Sequence, residues 1–130
     1  MENGVLRSPD LHDGLLTAVV LVGETTLELH CQTVDRTLYV LRLRDLVRLR
    51  VDNFLEGNII FEIRTFPSNE CPTEIIDRLY PPSPMGVRGT EQPEARRAVA
   101  EGWTYVCLES SYGCELVALA KKQLEINKSA

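Results

Sequence analysis

The chain has 130 residues, 44% of them hydrophobic and 25% charged, with a formal net charge of -5. That length suits one domain burying roughly two thirds of its unfolded surface, so neither a metal nor a disulfide is needed to hold it. The acidic balance works against nonspecific attraction to nucleic acid or an anionic membrane, and no apolar run reaches the roughly 18 residues of a membrane-spanning helix.

Residues 1–10 are polar and broken by Gly4 and Pro9, which predicts a flexible arm ahead of a single domain over 1–130. "GLLTAVVLV" at 14–22 is a short β-branched apolar run ended by Gly23, the pattern of a buried strand. "TLELHCQT" alternates Leu27, Leu29 and Cys31 with Glu28, His30 and Gln32, a strand with one wet face. "LYVLRLR" at 38–44, "LVRLRV" at 46–51 and "IIFEIRTF" at 59–66 repeat the period of two, and the connections are short. Short links favour antiparallel hairpins, since parallel pairs need long crossovers. The pattern changes after Pro67. "PTEIIDRLY" predicts a two-turn helix with Ile75, Ile76 and Leu79 inward, and "PEARRAVAEG" a second short helix with Pro93 in its first turn and Gly102 past its end. Between them, three prolines and two glycines in "PPSPMGVRGT" predict a flexible loop over 81–92. "WTYVCLES" returns to alternation. "CELVALAKKQLEI" suits a helix by composition and a strand by its place after Tyr112-Gly113; a strand pairing with 103–109 is preferred because it completes the sheet. The expected fold is therefore mainly β (α+β): an antiparallel meander forming a sheet, sandwich or partly open barrel, with one or two short helices in 67–102.

Few residues offer chemistry. His12 and Asp13 are a base and a carboxylate, but adjacent strand residues point to opposite faces and cannot form the usual triad. Asp13-Gly14 reads more simply as a turn before the first strand. Zinc needs three or four ligands, and the chain has only His12 and His30, which a hairpin of the first two strands would bring near one another. His12, Asp13 and His30 are the candidates for a polar or metal-dependent hydrolytic site, and no metal or cofactor is expected. Ser110 and Ser111 lie in no nucleophile-elbow motif.

Arg36, Arg42, Arg44, Arg48 and Arg50 fall within 15 residues. On two paired strands Arg42 and Arg44 share one face, as do Arg48 and Arg50, and coincident faces would make a guanidinium patch suited to carboxylates. The alternative is a solvated face whose arginines pair with Glu28, Asp45, Asp52 or Glu62. Phe54 and Leu55 sit in the polar connection "DNFLEGN", where they mark a contact surface or fold back over the core. Aromatic residues do not interleave with the arginines, which argues against nucleic acid. Cys31, Cys71, Cys107 and Cys114 lack CxxC spacing and read as buried thiols of a cytoplasmic protein.

"LHDG" before the first strand, "DLVRLRVDNFLEGNIIFEI" and the closing "SSYGCELVALAKKQLEI" resemble small β-rich bacterial proteins of the polymorphic-toxin immunity type and their uncharacterised relatives. In that group a His-Asp pair precedes the first strand, an Asn-containing turn leads to an "NII"-like strand, and a Ser-x-Gly turn precedes the last strand. The likeness covers residues 11–66 and 109–126. It implies a noncatalytic protein that neutralises a partner protein, and it carries over no catalytic residues. The expected function is thus a protein-binding module using Arg42, Arg44, Arg48, Arg50, Phe54 and Leu55. The alternatives are a structural sheet protein that self-associates, and a small hydrolase built on the two histidines.

Overall fold

The computed structural model describes residues 4–129. The period-two stretches become β1 (Leu15–Val22), β2 (Thr26–Gln32), β3 (Leu38–Leu43), β4 (Leu46–Asp52) and β5 (Asn58–Pro67). Helices α1 (Thr73–Leu79) and α2 (Pro93–Glu101) follow, then β6 (Thr104–Tyr112), β7 (Glu115–Ala120) and β8 (Glu125–Lys128). The fold is mainly β with an α+β layout, and its strands form one antiparallel sheet in the order β4-β7-β6-β5-β1-β2-β3-β8.

β1, β2 and β3 form the expected meander, which stops there. β4 pairs with β7 and not with β3 or β5. The physical reason lies in the link. Asp45 adopts a left-handed backbone at φ 55, the Leu46 N–H donates to the Thr25 carbonyl (2.8 Å), and the Asp45 carbonyl accepts from Lys121 N–H (3.0 Å). The chain therefore crosses to another layer instead of reversing within one.

The ladder is thinnest at its middle, where β1 meets β5 only through Leu15 opposite Ile59 and Leu16 opposite Asn58. About this seam the sheet folds over on itself. Leu27, Leu29, Leu41 and Leu43 of one half pack in a single cluster with Ile60, Ile63, Leu108 and Leu116 of the other. A second core lies on the reverse of the β5–β6–β7–β4 half. There Phe66, Tyr105, Val117 and Leu119 meet Ile75, Ile76 and Leu79 of α1 and Ala95 and Ala98 of α2. β6 and β7 are covered on both sides, which explains why "YVCL" and "LVALA" are apolar without alternation. The layers run β, β, α. The outward residues of β1, β2 and β3 belong to neither core cluster.

Both helices form where the periodicity places them. Pro93 opens α2, and Gly102 closes it in the left-handed region at φ 71. Within 81–92, Ser83 and Val87 close a tight turn and Gly89–Glu91 form a 3-10 turn. Of the arm expected over 1–10, residues 1–3 lie outside the described residues. Val5 bridges Arg64 on β5, the Leu6 N–H donates to the Ile63 carbonyl (2.7 Å), and Leu6 is buried. The stretch 114–126 divides: β7 pairs with β6, the chain breaks at 121–124, and β8 pairs with β3 at the far end of the sheet.

Candidate functional site

The "LHDG" stretch is a turn that seats β1 against β5. Asp13 takes a left-handed backbone at φ 62, and its N–H donates to the Ile60 carbonyl (2.8 Å). The Gly14 N–H closes on the Leu11 carbonyl (2.9 Å), and the Gly14 carbonyl accepts from Ile60 (2.9 Å). A Cβ at Gly14 would lie 2.3 Å from the Gln32 carbonyl oxygen, so glycine is required by close approach. The expected opposite orientation of His12 and Asp13 does not hold, because they sit on a turn and not on a strand. His12 Nε2 lies 3.5 Å from Asp13 Oδ2. Nδ1 donates to the Phe61 carbonyl (2.7 Å), and the ring meets Phe61 edge-on at 5.5 Å. The Phe61 carbonyl first, and then the Asp13 charge, raise the His12 pKa above its ordinary value.

His30 is engaged separately: its Nε2 lies 3.2 Å from Glu28 Oε1. Glu28 also accepts Nε and Nη2 of Arg42 at 2.9 and 2.7 Å, and these bonds, with His30 second, hold its carboxyl below the usual range. A hollow of about 400 Å³ brings His12 together with Asp10, Asp35 and Tyr39, but His30 does not line it. The Asp35 carboxylate there is taken up by the Thr33 and Thr37 hydroxyls. Among the described residues, no three His, Cys, Asp or Glu side chains are grouped as metal ligands would be.

The arginines divide between two places, since β3 and β4 stand apart in the sheet. Arg42 and Arg44 lie on β3 and just beyond it, paired with Glu28 and with Glu125 of β8 (2.7 Å). Arg48 and Arg50 point the other way, towards α1. Arg48 Nε donates to the Leu79 carbonyl (3.0 Å) with its guanidinium 4.8 Å over the Tyr80 ring, and Arg50 donates to the Arg78 carbonyl (2.9 Å) and to Asp52 (2.8 Å). These two guanidiniums satisfy carbonyls at the C-terminal end of α1, where a helix favours cations. Sequence spacing showed the shared faces but not the helix that two of them cap.

A mainly apolar row, broken by Gln32, runs from the open face of the first half across the seam. Leu38 is opposite Gln32, Gln32 opposite Leu15, Leu15 opposite Ile59 and Ile59 opposite Tyr112, so the row crosses β3, β2, β1, β5 and β6. Leu38 is 46% exposed, Leu15 38% and Tyr112 47%. Phe54, 45% exposed, stands in the loop that Asn53 ties to Gly113 beside Tyr112, whereas Leu55 is half-buried. Next along the same face comes Val40 between His30 and Asn127, and beyond it Glu28, Arg42 and Glu125 on adjoining strands. The arrangement is an uncovered sheet surface with a mainly apolar line and a self-neutralised charge line.

Asn58, which the sequence places only at the end of the polar connection "DNFLEGN", anchors that surface. It is 2% exposed. Its Oδ1 accepts the N–H groups of Leu55 (2.8 Å) and Cys114 (2.9 Å), and its Nδ2 donates to the carbonyls of Leu55 (2.8 Å) and Leu16 (3.2 Å). One amide thus satisfies β1, the 53–57 loop and the turn before β7, using its full donor and acceptor capacity. A Cβ on Gly113, itself at φ 92, would lie 2.4 Å from Asn58 Oδ1. The pairing of a buried Asn with a distant Gly leaves no signal in spacing alone. All four cysteines are free, and burial pushes the Cys31 and Cys71 thiols up to about 12 and Cys114 to about 11. No helix among the described residues is long and apolar enough to cross a membrane. The chain matches no protein-family model, no curated protein and no solved structure.

Proposed function

We propose that this chain is a noncatalytic protein-binding module, immunity-like in that it works by covering part of a partner protein. The observation that carries the reading is the uncovered row Leu38–Leu15–Tyr112 with Phe54 beside it. Exposed apolar residues in register, here broken only by Gln32, are what a partner buries, with aromatic residues as anchors. Arg42 and Arg44 lie four and six residues beyond Leu38 along the same chain, already oriented by Glu28 and Glu125. Rim charges of this kind act on association rate more than on affinity. The engagement of both imidazoles supports a binding role over a hydrolytic one: among the described residues neither has a hydroxyl or thiol partner. Four unbridged thiols, three of them buried, support a reducing, cytoplasmic setting.

The test is capture of a partner by the tagged chain, compared with a Leu38→Glu/Tyr112→Ser double variant whose urea midpoint is first shown to be unchanged. The reading expects one stoichiometric protein lost by the variant, and slowed amide exchange on β1–β3 in the complex. Full retention by the variant, or protection confined to other strands, would sink it. The same row also favours a second reading, pairing of two copies face to face. A light-scattering mass of one chain at micromolar concentration removes that reading, and a dimer abolished by the double variant installs it.

A further inference from the structure

β4 ends the sheet on one side, hydrogen-bonded to β7 alone. On its outer edge, among the described residues, only the Leu46 N–H has a backbone partner. The seven-residue strand therefore presents a row of unpaired N–H and C=O groups, the template for an added strand. β8, at the other end, is four residues long.

A cleft runs beside β4. Two adjoining hollows of about 460 and 320 Å³ share Pro93 and Glu94 on their walls. Their cations are Arg48, Arg97 and Lys121, and their carboxylate is Glu94, which already accepts the Tyr80 hydroxyl. Arg97 and Lys121 stand 5.5 and 5.4 Å from the Trp103 ring. Arg97 is paired with Glu101, whereas Arg48 and Lys121 have no carboxylate partner among the described residues. A chain of net charge -5 thus lines this cleft with three cations, one of them paired with Glu101, and the single carboxylate of Glu94.

We propose that the free edge of β4 takes an extended acidic segment of another protein as an added strand, with its carboxylates in this cleft. Side chains on one face of a strand recur about every 7 Å, so acids at alternate positions meet Arg48 and the Arg97–Lys121 pair while the backbone fills the edge. The cleft's cations favour an acidic strand over a second copy, whose β4 brings Arg48 and Arg50 against the single Asp52. Antiparallel self-pairing centred on Leu49 sets Arg48 of one chain opposite Arg50 of the other, a like-charge pair. This inference rests on β4 and its cleft alone and is independent of the open face of the other half.

The experiment titrates the whole chain with the capped peptide Thr-Glu-Val-Glu-Val-Glu-Thr, its Lys-for-Glu counterpart, and an acidic version N-methylated at alternate residues. Two signals are read: fluorescence of Trp103, the chain's single tryptophan, and amide shifts of β4. The expected result is saturable binding of the acidic peptide with shifts centred on residues 47–52. The Lys peptide binds at least about ten-fold more weakly, N-methylation abolishes binding, and Lys121→Glu weakens it several-fold with an unchanged unfolding midpoint. Absence of saturation at millimolar peptide, equal binding of both charge types, or shifts falling on β1–β3 overturns the proposal. A dimer of the free chain held together by β4 overturns it as well.

Discussion

Replacing Asn58 by Ala removes four hydrogen bonds at once from a site that is 2% exposed. Leu55 is half-buried, so water can take over its N–H and carbonyl. The Cys114 N–H belongs to a fully buried residue and is left without a partner, whereas the Leu16 carbonyl loses one bond but still faces the backbone of residue 58 in the β1–β5 ladder. The dry orphan costs about 1–3 kcal/mol and the lost bond to Leu16 about 1 more, which sets the expected loss near 3 kcal/mol, a large share of the 5–15 kcal/mol typical of a domain. Asn58→Asp is a sharper probe. It keeps the size and the acceptor that serves Leu55 and Cys114, but it turns a carboxylate oxygen towards the Leu16 and Leu55 carbonyls. Burial and those carbonyls raise the folded pKa of the new acid above its unfolded value of about 3.9. The destabilisation is then complete above the folded pKa and fades as pH falls towards the unfolded one. With a folded pKa of about 6, the deficit against wild type grows by about 1.4 kcal/mol between pH 5 and pH 8. Urea unfolding followed by Trp103 fluorescence measures both variants at both pH values. An Asn58→Ala loss below about 1 kcal/mol, or an Asn58→Asp deficit equal at pH 5 and pH 8, refutes the hub.

Gly14→Ala pushes a methyl group to 2.3 Å from the Gln32 carbonyl oxygen, and we expect a loss of about 2–4 kcal/mol in urea unfolding; a change under about 0.5 kcal/mol would show that the turn can shift freely. His12, donating to Phe61 and facing Asp13, should titrate in NMR above about 6.5. Its contribution to stability is present below the unfolded pKa and lost as pH rises through the folded one, and a value at or below 6.5 contradicts the bond to Phe61. Among the thiols, the half-buried Cys71 should be the first to react with Ellman's reagent in the native protein at pH 8, and Cys71→Ser should remove that phase, while denaturant exposes all four. Two or more thiols reacting on mixing would contradict the burial of Cys31, Cys107 and Cys114. Arg48→Ala removes both the cap on Leu79 and the contact with Tyr80, for an expected loss of about 1–2 kcal/mol; a neutral effect would mean water caps α1 equally well.

β2 and β3 were legible because each has one wet face, and a period of two survives there: Leu27, Leu29 and Cys31 are inside, Glu28, His30 and Gln32 are not. β1 reads as a buried strand because its apolar run is unbroken, yet only one face is covered and Leu15, Leu21 and Val22 are exposed. Both helices were legible from Pro93, Gly102 and the Ile75–Leu79 spacing. Pairing was not. A two-residue link between β3 and β4 reads as a hairpin, and only the left-handed Asp45 with its cross-layer bonds turns it into a crossing. The alternation of β4 is the same whichever strand lies beside it, so the separation of Arg42 and Arg44 from Arg48 and Arg50 left no trace in sequence. The break within 114–126 was hidden because β7, covered on both faces, has no alternation to end. The apolar row on the open face is a property of register across five strands, and single strands cannot display it.

The pairing of β3 with β8 joins Leu41 to Ile126 across most of the chain, and this bears on the order of synthesis. As the chain emerges, β1, β2 and β3 can form at once, but the outer edge of "LYVLRL" waits for residues 125–128. Contacts so distant in sequence make folding slow, and a waiting apolar edge is an invitation to aggregate. Arg42 and Arg44 stand on or beside that edge. Arg42 already has Glu28 of β2, so until Glu125 arrives it is the unpaired charge of Arg44, just past the strand, that guards the edge, a gatekeeper role invisible in the finished ion pair.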